Sequence, residues 1–260
     1  IEVPRFGAKY TWMVTGTEKE SLNENVLHHF STLPFPDSNT RLHILKPSDK
    51  YADGFVFVDG NCALYDMQGN AVWFPNMKID GLKPESIRNL RNTLKHTITF
   101  LSGTSAFEIN YNSEIIWTPP NDGKVSGDGI CYYHHQMNRL DNGHYMILGN
   151  EPALCKMPTA NESKLQVLKY DQATYEKGSG AYKKIHLGTV IEYDEKGNVV
   201  WSWKSSDYFL SSDIEYYRNT AAFGNNVIDV HENAFYFDEQ NKVVYVSFKK
   251  LNRILKISYP

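Results

Sequence analysis

A nine-residue phrase that recurs along the chain constrains its fold more than any other feature. Residues 65–73 read YDMQGNAVW, residues 193–201 read YDEKGNVVW, and residues 109–117 carry a degenerate copy, INYNSEIIW. Glycine accepts a positive φ without a Cβ clash, so the Gly-Asn pair suits a reversal of the chain. Each copy therefore predicts a strand, a tight turn and a second strand that ends on tryptophan.

The spacing of the copies indicates a repeating four-stranded unit. Trp73 and Trp117 are 44 residues apart, and Trp117 and Trp201 are 84 apart. The stretch 151–187 has 37 residues with little strand signal, and without it the second spacing falls to 47. A period of about 40–50 residues is typical of β-propellers. The sequence therefore predicts an all-β fold of the β-propeller class. The alternative is a β-sandwich whose hairpins are similar by accident.

About four blades are recognisable, and the last one is incomplete. Short strand-like runs alternate with turn residues throughout, beginning with Leu42–Leu45, and an aromatic content of 13% favours sheet. The predicted blades cover residues 41–74, 87–117, 134–203 and 231–260, with 151–187 as an insertion in the third. The best helical candidate is residues 84–94.

The predicted domain organisation has two parts. Residues 1–40 form an N-terminal segment of unassigned role, and residues 41–260 form the propeller blades. We expect the propeller to continue beyond Pro260, because a blade with only three strands exposes an unpaired edge. The alternative is that residues 1–36 supply the missing strands.

Composition excludes several functional classes. The 27 Lys and Arg and 30 Asp and Glu give a formal charge of −3, which argues against broad binding to nucleic acid or to a membrane surface. No apolar run approaches the roughly 18–20 residues of a membrane helix. The three cysteines are Cys62, Cys131 and Cys155. They lack CxxC spacing, which excludes a zinc knuckle and a disulfide scaffold, and we predict that they are buried thiols.

The histidines supply the candidate site. His134 and His135 open the first strand of the third predicted blade, and His231 opens the first strand of the fourth. In a propeller the first strands line the central channel, so we expect these side chains to converge there. Four others are predicted as turn or core residues, namely His43, His96, His144 and His186.

The same pattern argues against a metal site or a cofactor. Neighbouring residues of a strand point to opposite faces, so we expect that His134 and His135 cannot both bind one ion. The sequence contains no HExxH and no comparable ligand spacing.

Several of these segments together resemble a known family. The GNVVW turn, the pair His134-His135 followed by LDNGHY, the HEN segment at His231 and the run VYVSFKKLNRILKI are similar to those of the bacterial arylsulfate sulfotransferases. The resemblance spans residues 55–258. It implies a six-bladed propeller that moves a sulfuryl group between phenols without the nucleotide donor PAPS, in the periplasm or secreted.

The resemblance also implies roles for individual residues. His134 and His135 match the first channel histidine of a His-His-Asp motif, with Gln136 in the place of the aspartate. His231 matches the second channel histidine, and Asn233 is its companion in binding substrate.

Three further features of the resemblance concern substrate and nucleophile. Lys249 stands where the family has an arginine that binds the sulfuryl oxygens, and a lysine offers a point charge where the arginine offers a planar fork. Tyr132 and Tyr133 are candidates to stack on an aryl substrate, and with so many aromatic residues in the chain they are equally plausible as packing residues. The family's covalent nucleophile, a histidine of a later blade, has no match in this sequence.

Two other functions stay open at this point. One is a propeller without this catalysis that serves as a binding module, and the other is a different propeller enzyme such as a quinoprotein-like oxidoreductase or a lyase. The expected partners are an aryl sulfate and a phenol, with no nucleic acid and no membrane span. A homodimer is compatible with the sequence.

Overall fold

The computed structural model describes an all-β chain. The described residues are 6–13, 27–32, 34, 42–75, 87–120, 132–156, 167–169, 182–210, 212–213 and 227–260. They form two compact units, one of residues 1–56 with 63–74 and the other of residues 57–62 with 75–260. The prediction of an all-β fold with several antiparallel sheets is confirmed.

The N-terminal strands form a hairpin and a three-stranded sheet. The hairpin pairs β1 with β2, and the sheet has the order β3-β4-β5. Their bounds are β1 Lys9–Trp12, β2 His28–Ser31, β3 Phe55–Val58, β4 Ala63–Asp66 and β5 Ala71–Trp73.

Three further sheets follow in chain order, and their first strands carry the candidate site. We refer to them as sheets C, D and F. Sheet C has the order β6-β7-β8-β9, with β6 Arg88–Asn92, β7 Ile98–Ser102, β8 Ser105–Ile109 and β9 Ile115–Trp117. Sheet D has the order β10-β11-β13-β14, with β10 Tyr132–Arg139, β11 Tyr145–Lys156, β13 Tyr182–Tyr193 and β14 Val199–Lys204. Two short strands join it, β12 Val167–Lys169 on β11 and β15 Val227–Asp229 on β13. Sheet F has the order β16-β17-β18, with β16 Glu232–Asp238, β17 Val243–Phe248 and β18 Arg253–Ser258.

The three copies of the repeated phrase all form the predicted hairpins. In the copy at residues 193–201 the Asp194 carboxylate accepts hydrogen bonds from the Lys196 and Asn198 N–H groups, at 2.9 and 2.8 Å. Gly197 has a φ of +85°, a backbone conformation that favours glycine. The turns at 66–70 and 110–114 have the same hydrogen-bond pattern, so the repeat is structural.

Three sequence predictions about secondary structure are wrong, and the first two concern residues 84–94 and 151–187. The helical candidate 84–94 contains strand β6. Ile87 and Leu90 are both buried on either side of the bulge at Asn89, and their spacing of three residues is the one expected of a helix. Residues 84–86 lie outside the described part. The stretch 151–187 is not an insertion without strands, since β11 and β13 run on into it from both ends as a long antiparallel pair.

The run Leu42–Leu45 is also not a strand. The Leu42 N–H donates a hydrogen bond to the Gly69 carbonyl in the turn between β4 and β5.

Two hydrophobic clusters join the successive sheets. Between sheets C and D, the Trp117 indole stacks on the Tyr145 ring with centroids 3.7 Å apart. Between sheets D and F, buried aliphatic side chains pack around Trp203 and Phe248, whose ring centroids are 6.2 Å apart. Burial of these large side chains gives the contact between sheets its stability.

Hydrogen bonds also join the first strands directly. The Asn89 Oδ1 of β6 accepts a bond from the Met137 N–H of β10 at 3.1 Å. In the next pair, the Gln136 amide of β10 donates to the Phe235 carbonyl at 2.8 Å and accepts from the Phe235 N–H of β16 at 3.0 Å. Strands β6, β10 and β16 are therefore held side by side by these hydrogen bonds.

Candidate functional site

A left-handed residue lies near the start of each of the three first strands. Asn89 has a φ of 58°, His135 of 57° and His231 of 52°. Each lies beside a register shift between the first and second strands of its sheet. Non-glycine residues with positive φ are uncommon, and backbone strain of this kind persists where the surrounding structure enforces it. At His135 and His231 the bulges bring side chains of two sheets together.

The bulge at His135 overturns the prediction that His134 and His135 point to opposite faces. The Nδ1 atoms of the two rings are 2.8 Å apart and share a hydrogen bond. The alternation of side chains holds only for regular strands, and the left-handed φ of His135 interrupts it.

The structure brings His135 and His231 together from different sheets. Their ring centroids are 5.0 Å apart, with an interplanar angle of 73°. The Gln136 bonds to Phe235 hold the two strands at this distance. Gln136 is thus a buried link between sheets D and F.

A buried carboxylate stands behind the histidines. Glu232 is 0% exposed, and its Oε1 lies 3.3 Å from His134 Nε2. The same oxygen accepts a hydrogen bond from the Thr189 N–H at 3.0 Å. Burial raises the pKa of Glu232 well above its ordinary value, because the charged form loses its hydration.

Burial has the opposite effect on the two imidazoles. Burial lowers the pKa of His134 to about 4. The pKa of His135 is also lowered to about 4, by burial and then by the nearby charges of His134, His231 and Arg88. Both rings are therefore neutral near pH 7. A neutral imidazole can donate a hydrogen bond from one nitrogen and accept one, or a proton, at the other.

Asp229 orients the third histidine of the cluster. Its Oδ1 accepts the His231 N–H at 2.8 Å, and its Oδ2 lies 3.4 Å from His231 Nδ1. Because Nδ1 faces the carboxylate, Nε2 is the His231 nitrogen that is left for a ligand.

Arg88 also belongs to this region, although it is not among the residues predicted from the sequence. It lies at the start of β6, and its charge contributes to the lowered pKa of both His134 and His135. The available signal was its place at the start of a blade, equivalent to that of the His134-His135 pair, but the helical interpretation of 84–94 concealed it.

Glu232 and His186 were missed for different reasons. Glu232 follows His231 directly in the HEN segment, and nothing in the sequence distinguishes a buried carboxylate from a surface one. His186 was predicted as a turn or core residue, and its Nδ1 shares a hydrogen bond with the Tyr132 hydroxyl at 3.0 Å. It lies in the stretch with little strand signal, so the sequence carried no pointer to it.

The remaining predicted site residues are placed as follows. Tyr133 is buried in the cluster between sheets C and D, where its hydroxyl bonds to that of Tyr193 at 2.9 Å, so its ring packs in the core. Asn233 is the exposed extra residue of the β16 bulge. Lys249 has an exposed side chain, and its N–H donates to the His231 carbonyl at 2.9 Å. Of the tyrosine pair, Tyr132 is the one beside the histidines, with its ring 6.1 Å from that of His134.

Three other features bear on function. Cys62 and Cys155 are buried free thiols, whereas Cys131 lies outside the described residues. No group of three His, Cys, Asp or Glu side chains suited to a metal ion occurs in the described ranges. Within those ranges, no helix has the length and apolar character to cross a membrane.

The fold and the site define a class: an all-β protein whose successive sheets bring histidines together at the starts of their first strands. The chain belongs to the arylsulfotransferase (ASST) family, whose model matches residues 42–260. No curated protein matches the sequence. A solved structure of a protein of unknown function from Bacteroides caccae is similar with 12% identity and a TM-score of 0.28, over 75% of this chain and 68% of that one.

Proposed function

We propose that this chain binds the sulfuryl group of an aryl sulfate and takes part in its transfer to a phenol through a histidine. The observation that carries the proposal is the pairing of His135 and His231, with ring centroids 5.0 Å apart from two different sheets. Membership of the arylsulfotransferase family supports the same reaction class.

The charges of the cluster suit this substrate. A transferring sulfuryl group, like a phosphoryl group, spreads negative charge over its outer oxygens and the leaving phenolate, so catalysis depends on positioning and electrostatics. We assign Arg88 to neutralise part of that charge, since its guanidinium presents several N–H donors in one plane. His231 Nε2, opposite the nitrogen that faces Asp229, contacts the sulfuryl group.

His135 takes a different role in this proposal. Its pKa of about 4 keeps the ring neutral, so it can accept the proton of the incoming phenol at neutral pH. Tyr132, the aromatic neighbour of the histidines, contacts the aryl ring. We assign no residue of this chain as the covalent nucleophile.

We further propose that sheets C, D and F are successive blades of a β-propeller. The hydrogen bonds from β6 to β10 and from β10 to β16 support this, because they hold the first strands of consecutive sheets side by side. A periplasmic or secreted location follows from the family resemblance alone and is part of the same proposal.

The binding step is tested with 4-nitrophenyl sulfate by isothermal titration calorimetry. We expect His135→Ala, His231→Ala and Arg88→Ala each to weaken binding by about 10–100-fold, since a hydrogen bond to a charged group contributes about 1.5–3 kcal/mol. His43→Ala is the control, because His43 is exposed in the other unit, and it leaves binding unchanged. Unaltered binding in all three cluster variants contradicts the proposed site.

Transfer is tested separately by release of 4-nitrophenol when phenol is added as acceptor. Release that depends on phenol and is lost in His231→Ala supports the transferase. Tight binding of the aryl sulfate without phenol-dependent release assigns the chain to the alternative, a binding module that retains the fold.

A further inference from the structure

Sheet D has an extension that distinguishes it from sheet C. The second and third strands of sheet C, β7 and β8, have five residues each, whereas β11 and β13 of sheet D have twelve each. The last pair between β10 and β11 is Tyr132 with Asn150, and the pairing of β11 with β13 continues for six pairs beyond it. We call this extension, residues 151–156 and 182–187, the arm. At about 3.4 Å per residue, the arm extends about 20 Å past the start of β10, near which the histidines lie.

The arm is a packed part of the fold. Strands β12 and β15 flank it, because β12 pairs with β11 and β15 pairs with β13. Ile185 is 0% exposed and Leu187 3%, and both belong to the hydrophobic cluster between sheets D and F. Packed strands hold their side chains in fixed positions, so the arm can form a preorganised wall of a binding site.

The other face of the arm is directed to the candidate site. The pairing of β13 with β11 runs in continuous register, so His186 and Gly188 lie on the face opposite to the two buried residues. Gly188 lies against the Glu232 carboxylate, with which an added Cβ would collide. His186 contacts Tyr132, the aromatic neighbour of the histidines. The base of the arm therefore borders the histidine cluster.

His186 also connects the arm to His231. The backbone of His186 is paired with that of Asp229 in the parallel ladder of β13 and β15. The Asp229 carboxylate in turn lies 3.4 Å from His231 Nδ1. His186 is therefore the residue through which the arm contacts both the aromatic wall and the strand that leads to His231.

Two hydrogen bonds fix the Tyr132 side chain at the base of the arm. Asn150 Nδ2 donates to the Tyr132 hydroxyl at 3.3 Å, and His186 Nδ1 lies 3.0 Å from the same oxygen. Since the Tyr132 oxygen accepts the amide proton, its own proton is directed to His186 Nδ1. Neutral His186 then carries its proton on Nε2. The Tyr132 and His186 rings also meet edge to face, with centroids 5.8 Å apart and an interplanar angle of 81°.

Burial keeps both partners in the states that this hydrogen bond needs. It raises the pKa of Tyr132, so the hydroxyl keeps its proton. It lowers the pKa of His186, so the imidazole is neutral near pH 7 and Nδ1 is able to accept. The Tyr132 ring is thus held in one orientation.

We propose that the arm makes the site select aryl over alkyl sulfates, and that His186 is the positioning residue that holds the Tyr132 ring against the aryl group. The identity of the ligand as a sulfate ester rests on the proposed function. A ring that is already held by two hydrogen bonds loses little freedom when a second ring packs on it, and such a pair of rings contributes about 3–10-fold in affinity. An alkyl sulfate lacks the second ring.

The contact of His186 with Tyr132 is tested without substrate, by NMR of the full chain with ¹⁵N-labelled histidine at about pH 8, where histidine is neutral. We expect His186 to carry its proton on Nε2 in the wild-type protein. Tyr132→Phe removes the donor, so the Nδ1 signal of His186 moves. A proton on Nδ1, or an Nδ1 signal that stays the same in Tyr132→Phe, overturns the proposal.

Selectivity is measured by isothermal titration calorimetry, as the ratio of the Kd of methyl sulfate to the Kd of 4-nitrophenyl sulfate. We expect His186→Ala to lower this ratio by about 3–10-fold, while the Kd of methyl sulfate changes less than about 2-fold, since only the aryl contact is lost. Tyr132→Phe keeps the ring and loses its anchor, so it lowers the ratio as well. An unchanged ratio in His186→Ala overturns the proposal.

A conservative variant and a matched control separate positioning from a loss of packing. In His186→Asn the amide oxygen takes the place of Nδ1 as an acceptor for the Tyr132 hydroxyl, so we expect the wild-type ratio to be restored. His144→Ala is the control, because His144 is also a partly buried histidine of sheet D that bonds through Nδ1, to Glu192 at 2.7 Å, at the end of β11 away from the arm. It leaves the ratio unchanged. A ratio in His186→Asn as low as that in His186→Ala refutes the positioning role.

The two esters also separate this inference from the proposed function. If the wild-type protein binds methyl sulfate and 4-nitrophenyl sulfate equally well, the sulfuryl site stands and the inference about the arm is refuted. If it binds neither ester, the proposed function fails and the selectivity of the arm fails with it. Tighter binding of the aryl ester that depends on His186 supports both.

Discussion

Replacement of Gln136 by leucine removes the polar link between the two strands that carry His135 and His231. The Gln136 amide donates to the Phe235 carbonyl at 2.8 Å and accepts from the Phe235 N–H at 3.0 Å. Leucine has a similar size and no polar atoms. The Gln136→Leu variant therefore tests how far this single side chain holds sheets D and F together.

The magnitude follows from the two backbone groups that lose their partners. A buried donor or acceptor left unsatisfied costs about 1–3 kcal/mol, which gives about 2–6 kcal/mol for the pair. Burial of the leucine side chain offsets part of this, by about 1.5–3 kcal/mol at most. We expect a net loss of about 2 kcal/mol in the free energy of unfolding, which is the difference between the midpoints of these two ranges.

The loss is measured by urea unfolding followed by tryptophan fluorescence, with Gln240→Leu as the control. Gln240 is exposed in the turn between β16 and β17, so its change stays within about 0.5 kcal/mol. Binding of 4-nitrophenyl sulfate weakens in Gln136→Leu, because the distance between His135 and His231 is no longer enforced. A variant as stable as the control refutes the assignment of this link.

Three further outcomes are expected from the structure. Gly197→Ala destabilises the protein by about 1 kcal/mol, because the φ of Gly197 is +85°. Gly60→Ala is the control, because an added Cβ there meets open space, and it changes thermal stability little. Equal losses of thermal stability in the two variants contradict the turn argument. Burial raises the pKa of the Cys155 thiol to about 11, so peptide mapping finds it unmodified by a thiol reagent until the protein is unfolded. Because the pKa of His134 is about 4 when folded and 6.5 when exposed, only the unfolded chain takes up this proton as pH falls from 6.5 to 4. The free energy of unfolding of the wild type, relative to that of His134→Gln, therefore falls by about 3 kcal/mol as the pH is lowered across that window. Urea titrations measure this difference, and a difference that stays constant with pH contradicts the pKa shift.

The hairpins were predictable because their determinants are local. The turn at 193–201 needs a carboxylate to accept two N–H groups and a glycine at positive φ, and both are present in the repeated phrase. The strands on either side follow from alternation and aromatic content. The same short-range rules failed at 84–94, where a bulge at Asn89 imitates the spacing of a helix.

The candidate site was also predictable only in part from the sequence. The sequence indicated His134, His135 and His231 from their places at the start of predicted strands, and the structure puts their rings within contact of one another in series. Their roles in sulfuryl transfer stay predictions. The burial of Glu232 had no signal in the sequence, because a glutamate next to the start of a strand can be either exposed to solvent or buried.

By itself the sequence determined the all-β class, the repeating hairpins and the histidines near the start of the first strands of sheets D and F, because these depend on turn geometry and side-chain periodicity within a few residues. Only the tertiary structure decided that His134 and His135 face each other, that Gln136 links two sheets, and that Glu232 lies enclosed against Gly188. Those outcomes depend on bulges and on groups far apart in the chain, whose energies exist only after the sheets have packed.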